Sequence, residues 1–401
     1  MALFAYEVIT KTGELLKGQL EAADEYAVAD NLRKIGHTVI DIVEIKPSFF
    51  QNAFKAKVKA SVGDLSLLCR QLAAMLDAGV PLTRSLFTLS IQTTNKGLGR
   101  ILEEIARNIE GGMSFTDAIS AYPHIFPSIF SGMVKAGEVG GTLEEALGRL
   151  ADQLQKDKFL RDSLRSATFY PAAIGIFSVL LLLGMLFFLV PLFMGFFPPG
   201  TPLPLPTKIV VALSNSLRSL WYLWFLTVFL LAILLRTYLR SPLGKQQWDR
   251  LKFRLPLFGP LFHRAVIARF SRTLSTLFSG GIPVVQALEA AGAATGNSLV
   301  EEAAKEAAEK VQEGKSIAGP LGESPVFPPM VTQMVSIGEE SGSLPDLLNR
   351  IADFFEEEVA VMTKGLTGML EPIMLIVVGL LVGSMLLALY MPIFSVITQG
   401  M

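Results

Sequence analysis

The sequence predicts a mostly α, polytopic membrane protein with three transmembrane helices, two repeated cytosolic helical-bundle domains and a small N-terminal ββαβ appendage. Three observations carry this reading. Long apolar runs without charge recur along a 401-residue chain that is 51% hydrophobic and 18% charged, with mean hydropathy +0.47. A long motif is written twice. The first 45 residues differ in kind, reading as short strands about a single helix.

The order of elements follows from this. FAYEVIT and LLKGQLEA read as strands around Lys11-Thr12-Gly13. DEYAVADNLRKIG reads as a helix capped by Asp24 and ended by Gly36, and TVIDIVEI as a third strand, giving a domain over 1–46. A linker, 47–62, combines Phe49, Phe50 and Phe54 with Lys55, Lys57 and Lys59, which suits either the surface of an anionic leaflet or a plain connector. The first cytosolic helical domain is expected over 63–168. In LSLLCRQLAAMLDAGVPL the apolar positions have helical spacing, Gly79 suits a left-handed cap and Pro81 a new first turn. Ser114 with Asp117, Thr142 with Glu145 and Ser343 with Asp346 have the spacing of capping boxes.

A bilayer-crossing helix needs about 20 apolar residues. FYPAAIGIFSVLLLLGMLFFLVPLF gives the first span, 169–193. LWYLWFLTVFLLAILL, extended at both ends, gives the second, 218–239. PIMLIVVGLLVGSMLLALYMPIF gives the third, within 371–397. Between the first two lies a periplasmic loop, 194–217, whose five prolines from Pro198 to Pro206 favour a stiff extended excursion. A cytosolic linker, 240–263, leads to the second cytosolic domain, 264–370. Lysines and arginines set direction. Lys156, Lys158, Arg161 and Arg165 precede the first span, and Arg236, Arg240, Lys245, Arg250, Lys252 and Arg254 follow the apolar run of the second, whereas the loop has only Lys208, with Arg218 at its edge. The N-terminus is therefore expected in the cytosol and the C-terminus in the periplasm, with Trp221, Tyr222 and Trp224 at the outer interface. MALFAYEVITKTGEL lacks the pattern of a cleavable signal peptide.

The duplication explains the odd number of spans. MVKAGEVGGTLEEALGRLAD, Met133 to Asp152, returns as MVSIGEESGSLPDLLNRIAD, Met334 to Asp353, at an offset of 201 residues. AGVPL at Ala78 answers GGIPV at Gly280, and Phe126-Pro127 answers Phe327-Pro328. Tyr170-Pro171 matches Glu371-Pro372, and VPLF at Val190 matches MPIF at Met391. Each unit is a helical domain leading into one outward span, and the middle span returns the chain so that both domains share one side. The repeated sentence itself is a helix–turn–helix joint, with Gly137 or Gly141 supplying backbone freedom.

Chemistry is sparse. His37, His124 and His263 lack neighbours at metal-ligand spacing, so no metal site is expected. Gly314-Lys315-Ser316 resembles the tail of a phosphate loop, but Glu309 stands where that motif needs glycine, and Ser316 is better read as a helix cap. Glu339-Glu340 and Glu356-Glu357-Glu358 could hold a divalent cation or basic partner, or form a solvated face. The single cysteine, Cys69, reads as core filler. No cofactor or catalytic residue is expected, and a net charge of −1 gives no basic field to attract nucleic acid. The apolar runs of the spans contain no Asp, Glu, Lys or Arg, which argues against a transporter or permease. Gly379 and Gly383 form a small-xxx-small pair that permits close helix packing in the membrane. A scaffold holding a cytosolic machine at the bilayer remains.

IARFSRTLSTLFSGGIPVVQALEAAGAATGN, FPPMVTQMVSIGEESGSLPDLLNRIADFFEEEV and LEPIMLIVVGLLVGSMLLALYMPIF resemble the type II secretion F-protein family, the inner-membrane platform of type II secretion systems and type IV pilus machines. The resemblance spans the whole chain, and GEESG with ARFSRTL is closer to the pilus branch. It implies a non-enzymatic platform that engages a cytosolic hexameric assembly ATPase, and in pilus systems a retraction ATPase, works with pilins and other inner-membrane pilus components, and acts as a homodimer or higher oligomer. Export by a pseudopilus is the alternative. The family motif falls on Gly137, Glu138 and Gly141 in the first copy, and on Gly338, Glu339, Glu340, Gly342 and Glu371 in the second, as turn and interface positions. The first copy reads GEVGG where the second reads GEESG, so the two copies are expected to meet different partners.

Overall fold

The computed structural model describes residues 2–9, 15–22, 38–44, 58–196 and 203–399. They form two units, Met1–Val58 and Lys59–Met401. The first holds an antiparallel sheet of β1 (Ala2–Ile9), β2 (Leu15–Ala22) and β3 (Thr38–Glu44) in the order β2-β1-β3. β1 pairs β2 in unbroken register, Phe4 opposite Leu20, whereas against β3 the register shifts between Glu7 and Val8. A bulge of this kind bends a strand and increases its twist. The helix expected between Asp24 and Gly36 and most of the Phe/Lys-rich linker lie outside the described residues.

In the second unit the chain runs through α1 (Val62–Asp77), α2 (Leu82–Gln92), α3 (Lys96–Glu110), α4 (Phe115–Ser120), α5 (Ser128–Gly140) and α6 (Leu143–Gly184). A further set follows the middle of the chain: α11 (Phe258–Ser279), α12 (Val284–Ala294), α13 (Ser298–Gln312), α14 (Ala318–Glu323), α15 (Pro329–Ser341) and α16 (Leu344–Gln399). The inner four helices of the two sets agree in length, at 11, 15, 6 and 13 residues. Local chemistry sets the boundaries. Ser61 and Asp64 form a reciprocal capping box at the start of α1, each bond 3.0 Å. Gly79 takes φ +79, as its position predicts, and Asn95 accepts the amides of Gly97 and Leu98 at the start of α3. Cys69 is buried, and desolvation pushes its thiol well above the ordinary range, in keeping with core filler. The two lobes share one apolar core. Met133, Leu160 and Ala167 pack with Leu261, Phe270, Leu277 and their neighbours. Gly280 lies close against this core, where a Cβ on it would stand 2.7 Å from Met133 Sδ and push that side chain aside.

Three helices are long and apolar enough to cross a membrane. α6 passes without a break through a π-helical turn, Met185–Leu189, into α7 (Val190–Met194), a rod of 52 residues. At 1.5 Å per residue it is about 78 Å long, against a hydrocarbon core of about 30 Å. α16, with 56 residues, is longer still. The expected boundaries at 168/169 and 370/371 are therefore points along continuous helices, even though Pro171 and Pro372 lie inside them. The remaining span is α9 (Trp221–Arg240), of which no residue is buried.

Two segments depart from the sequence reading. The proline-rich loop was expected to reach residue 217, but α8 (Leu205–Ser219) occupies its second half. Pro204 is its N-cap and Pro206 sits in its first turn, where the missing N–H costs no helical bond. Val210, Val211 and Leu217 then pack on Leu186, Val190, Met385 and Leu389 of the two long rods. Ser214 Oγ donates to the carbonyl of Leu186 (2.6 Å), inside the π turn, and Thr207 Oγ1 to that of Ala388. A π turn displaces a carbonyl from the regular ladder, and Ser214 occupies this one. The expected linker 240–263 is likewise helical, comprising α10 (Pro242–Arg254) and the first turns of α11. Ser241 caps α10 by accepting the amide of Gly244 (3.1 Å).

Removing both hydroxyls, Thr207→Val with Ser214→Ala, should cost about 1 kcal/mol per bond. It should also raise hydrogen exchange selectively in α8, measured by mass spectrometry on the purified protein. Unchanged exchange in α8 would show that apolar packing alone holds it.

Candidate functional site

The duplicated Gly-Glu turns join α5 to α6 and α15 to α16. Gly141 (φ +70) and Gly342 (φ +69) both take the left-handed conformation past a helix end, where a Cβ is strained. Gly137 and Gly338 serve a different purpose. A Cβ on Gly137 would stand 2.7 Å from Ala146 Cβ, and one on Gly338 would stand 2.9 Å from Leu344 Cα. The first glycine of each copy thus lets the outgoing helix cross closely, and the second turns the chain.

The glutamate between them reaches back to the short helix before it. Glu138 accepts the amides of Phe115 (2.8 Å) and Thr116 (2.9 Å) together with the Thr116 hydroxyl. Glu339 accepts the amides of Ile317 (2.6 Å) and Ala318 (2.9 Å). Each carboxylate satisfies free donors at the start of α4 or α14 and faces the positive end of the helix dipole. A six-residue helix is marginal by itself, so this tie fixes its place in the lobe. Burial alone would raise the Glu138 pKa, but the hydrogen bonds from Thr116 and Phe115 outweigh it and hold the carboxyl below its ordinary value. Ser114 caps α4 through the Asp117 amide (3.0 Å) and Ser316 caps α14 through that of Gly319 (3.3 Å).

Other predicted positions fare differently. Thr142 makes no side-chain cap, its backbone (φ −119, ψ 43) lying off the extended geometry of a capping residue; Glu145 pairs with Arg149 (2.6 Å), which also donates to the carbonyl of Ser279 in the second lobe. Glu340 is exposed and accepts the Ser336 hydroxyl (3.2 Å). Glu371 is exposed where the apolar part of α16 begins, and neither Gly379 nor Gly383 has an atom within 4 Å of an added Cβ. The Gly379/Gly383 face is therefore open within the chain. The run Glu356–Glu358 is not simply a solvated face: Glu356 is buried, and Glu358 pairs with Arg264 at 2.6 Å. Among the described residues no group of three or more His, Cys, Asp or Glu is placed to hold a metal. His263 is bonded to the Val326 carbonyl (2.6 Å).

The feature that sequence reasoning missed lies between the lobes. A polar cleft of about 940 Å³ opens between α1 and α6 on one side and α11 and α16 on the other. At its floor Arg272 Nε meets Glu356 Oε1 at 2.9 Å, and the same guanidinium reaches Asp353 and Asn349. Lys156, on α6, crosses from the first lobe to Glu356 (3.0 Å) and Asp353 (3.3 Å). Gln153 bonds both Thr273 and Thr276 at 3.0 Å. At the rim Arg70 repeats the pattern within the first lobe, meeting Asp152 and Gln155 at 2.8 Å. Arg70 and Arg272 belong to the corresponding helices α1 and α11, and Asp152 and Asp353 each close a copy of the duplicated sentence. Desolvation alone would lower the pKa of Arg272 and Lys156, but the hydrogen bonds they donate to Glu356 raise both. For Asp353 burial would raise the value, and the bond from Arg272 wins and lowers it. A cluster of two cations and two acids, closed on itself, joins the lobes mechanically; its members are spent on one another.

Comparison with known proteins agrees with this duplicated arrangement. The sequence profile described as type II secretion system (T2SS), protein F matches residues 68–191 and again 270–392, and the profile for that family's N-terminal domain matches 1–43. The chain is 36% identical to the type IV pilus assembly protein PilC of Myxococcus xanthus, over 98% of this chain and 95% of that one. It is 37% identical to the type IV pilus assembly protein PilC of Thermus thermophilus, over 99% and 98%. It is 30% identical to the type II secretion system protein F of Vibrio cholerae, over 98% of each.

Two measurements probe these ties. Glu138→Gln should cost about 1–2 kcal/mol, the scale of a lost helix cap, read as a lower thermal midpoint. Because the folded carboxyl is depressed, its contribution is complete above about pH 4.3 and fades as pH falls through the lowered value, so the wild-type advantage should close only in that acid range. Arg272→Met leaves buried Glu356 with Lys156 as its one remaining cation and should cost about 3 kcal/mol, the low end for breaking a buried pair, whereas Arg272→Met with Glu356→Leu should recover most of the loss. A double variant no better than the single one would remove the pair from the account.

Proposed function

Because the chain belongs to the type II secretion system protein F family, we propose that it is the inner-membrane platform of a type IV pilus assembly machine, coupling a cytosolic assembly or retraction ATPase to polymerisation of pilins. The observation that carries this reading is the continuity of α6 and α16. Each begins in a lobe and ends as a membrane span, and the lobes are joined by a common core and by the Lys156–Glu356–Arg272 cluster. A helix is stiff along its axis, so a displacement of the lobes reaches the membrane without a loosely linked joint. The duplicated lobes offer related but unequal surfaces, on which different partners would act.

The direction of the chain follows the positive residues flanking the spans, with both lobes cytosolic and the C-terminus periplasmic. The open face at Gly379 and Gly383 is the membrane surface we assign to a second copy. The relatives named for pilus assembly are the more similar of those compared, which favours the pilus branch over the secretion branch. A piliation assay beside a secretion assay separates the two.

Inserting a short Gly-Ser segment after Tyr170, past the last core contact at Ala167, should leave the protein folded and inserted yet abolish fibre assembly. Normal fibres from that variant would refute coupling through the rod. Topology reporters at residues 100 and 320 should both report the cytosol; opposite sides would refute the shared footing of the lobes.

A further inference from the structure

α10 begins directly after α9, at Pro242, and two faces of it are already distinguishable. One face belongs to the second lobe. Asp249 is buried, accepts the amide (2.9 Å) and hydroxyl (3.0 Å) of Ser298 at the start of α13, and pairs with Lys252 at 2.9 Å. Burial alone would raise the pKa of Asp249, but the bond from the Ser298 amide leads those that lower it, so the anchor is ionised at neutral pH. Gln246 and Lys245 add bonds to Glu302 (3.1 Å) and Glu301 (3.5 Å).

The opposite face carries Leu243, Trp248, Leu251 and Leu255 at helical spacing, and Leu243 is 71% exposed, Leu251 49% and Trp248 40%. Leu257 continues the patch. It holds φ +67 in a tight turn closed by the Phe258 amide on the Pro256 carbonyl (2.8 Å), a strained backbone for leucine that leaves the side chain 44% exposed. Arg236 and Arg240, in the last turns of α9, and Arg250 and Arg254, on α10, are all exposed, and none has an ion-pair partner among the described residues. Arg250 and Arg254 also line a mainly apolar cleft of about 710 Å³, whose acid, Glu358, is engaged by Arg264. Lys252 lies over the Trp248 ring at 5.9 Å.

We propose that α10 lies in the plane of the membrane surface, with Leu243, Trp248, Leu251 and Leu255 entering the headgroup–acyl boundary and the four arginines holding anionic phospholipid phosphates. The occupant is lipid because the patch continues from a membrane span: α9 ends at Arg240, so α10 cannot move far from the bilayer. Apolar residues together with unpaired arginines fit an anionic interface and are costly against water or a cationic partner. Through Asp249 and Ser298 this helix fixes the height of the second lobe above the lipid. The inference rests on α9 crossing the bilayer, part of the reading above, and not on the ATPase or pilin assignments.

The test uses the full chain, one copy per nanodisc, with Trp248 emission taken as the difference between wild type and Trp248→Phe. Lipids brominated near the headgroup should quench that emission, and brominated phosphatidylglycerol should do so more than brominated phosphatidylcholine. Arg250→Gln with Arg254→Gln should lower this preference by about fivefold per arginine. A nitroxide on Leu251→Cys should favour oxygen over a water-soluble nickel chelate, independently of the arginine variants. Unquenched Trp248 with a chelate-accessible nitroxide at position 251 overturns the proposal. So does shielding that appears only with two copies per disc, which would make the patch an interface between copies. A nitroxide on Leu230→Cys separates the premises: if it is buried in lipid while position 251 is wet, α9 crosses the bilayer and the interfacial helix alone is refuted.

Discussion

The two long rods are set against each other at the buried meeting of Arg272 with Glu356, which Lys156 joins. Burying two charges is expensive, and an apolar pair of equal volume commonly gives as much stability. What the ions add is register. Arg272 has partners one turn apart on α16, Asp353 and Glu356, with Asn349 a turn further back, and Lys156 brings α6 to the same two acids. Sliding either rod by one turn would strand a charge in the core. The long helices are thus set against each other at the lobe end before either reaches the membrane. The first lobe has the corresponding Arg70–Asp152 pair, but there it is exposed and Gln155 stands in the place that Glu356 holds. Only the second copy builds the buried version, and only there does a lysine from the other lobe join it.

At the far end the same two rods are tied by α8, through Leu186, Val190, Met385 and Leu389 and the bonds from Ser214 and Thr207. Two rods fixed at both ends can still bend between the ties. Pro171 and Pro372 lie there, at matching places in the duplication, and each leaves a carbonyl one turn back without its helical donor. α9 takes no part in either tie and has no buried residue, so it returns the chain without constraining the rods. A frame with fixed ends and softened middles bends as a unit rather than letting each span move alone.

Much of this frame is legible in the sequence because bilayers and turns impose strict rules. Uncharged runs of sufficient length locate the spans, and a glycine after a helical pattern locates Gly79, Gly141 and Gly342, all with positive φ. Thr142 fails as a cap because its backbone leaves the extended region that aims a capping hydroxyl at the helix amides, which the residue pattern does not reveal. α8 hides because proline density resembles an extended loop, although Pro204 and Pro206 sit where a helix tolerates them. The cleft is illegible for a deeper reason. Nothing in ARFSRTL says that Arg272 faces an acid more than eighty residues later; only the packing of α11 against α16 decides it. The one trace is that Asp152 and Asp353 close the two copies of the repeated sentence, each on an arginine of the first helix of its own lobe.

The turns with which the duplication announces itself carry a further consequence. Both glutamates are spent inside their lobes, Glu138 on three donors and Glu339 on two backbone amides. A carboxylate so engaged is poorly placed to meet a partner, and breaking its bonds would release the short helix it holds. What each turn presents outward is the residue after the glutamate: Val139, 83% exposed, in one lobe and Glu340, also exposed, in the other. The frames are alike and the faces are opposite in character, apolar against acidic. Two partners that distinguish the lobes would therefore do so by these side chains, while the shared Gly-Glu-x-x-Gly geometry holds both faces at the same position on the same joint.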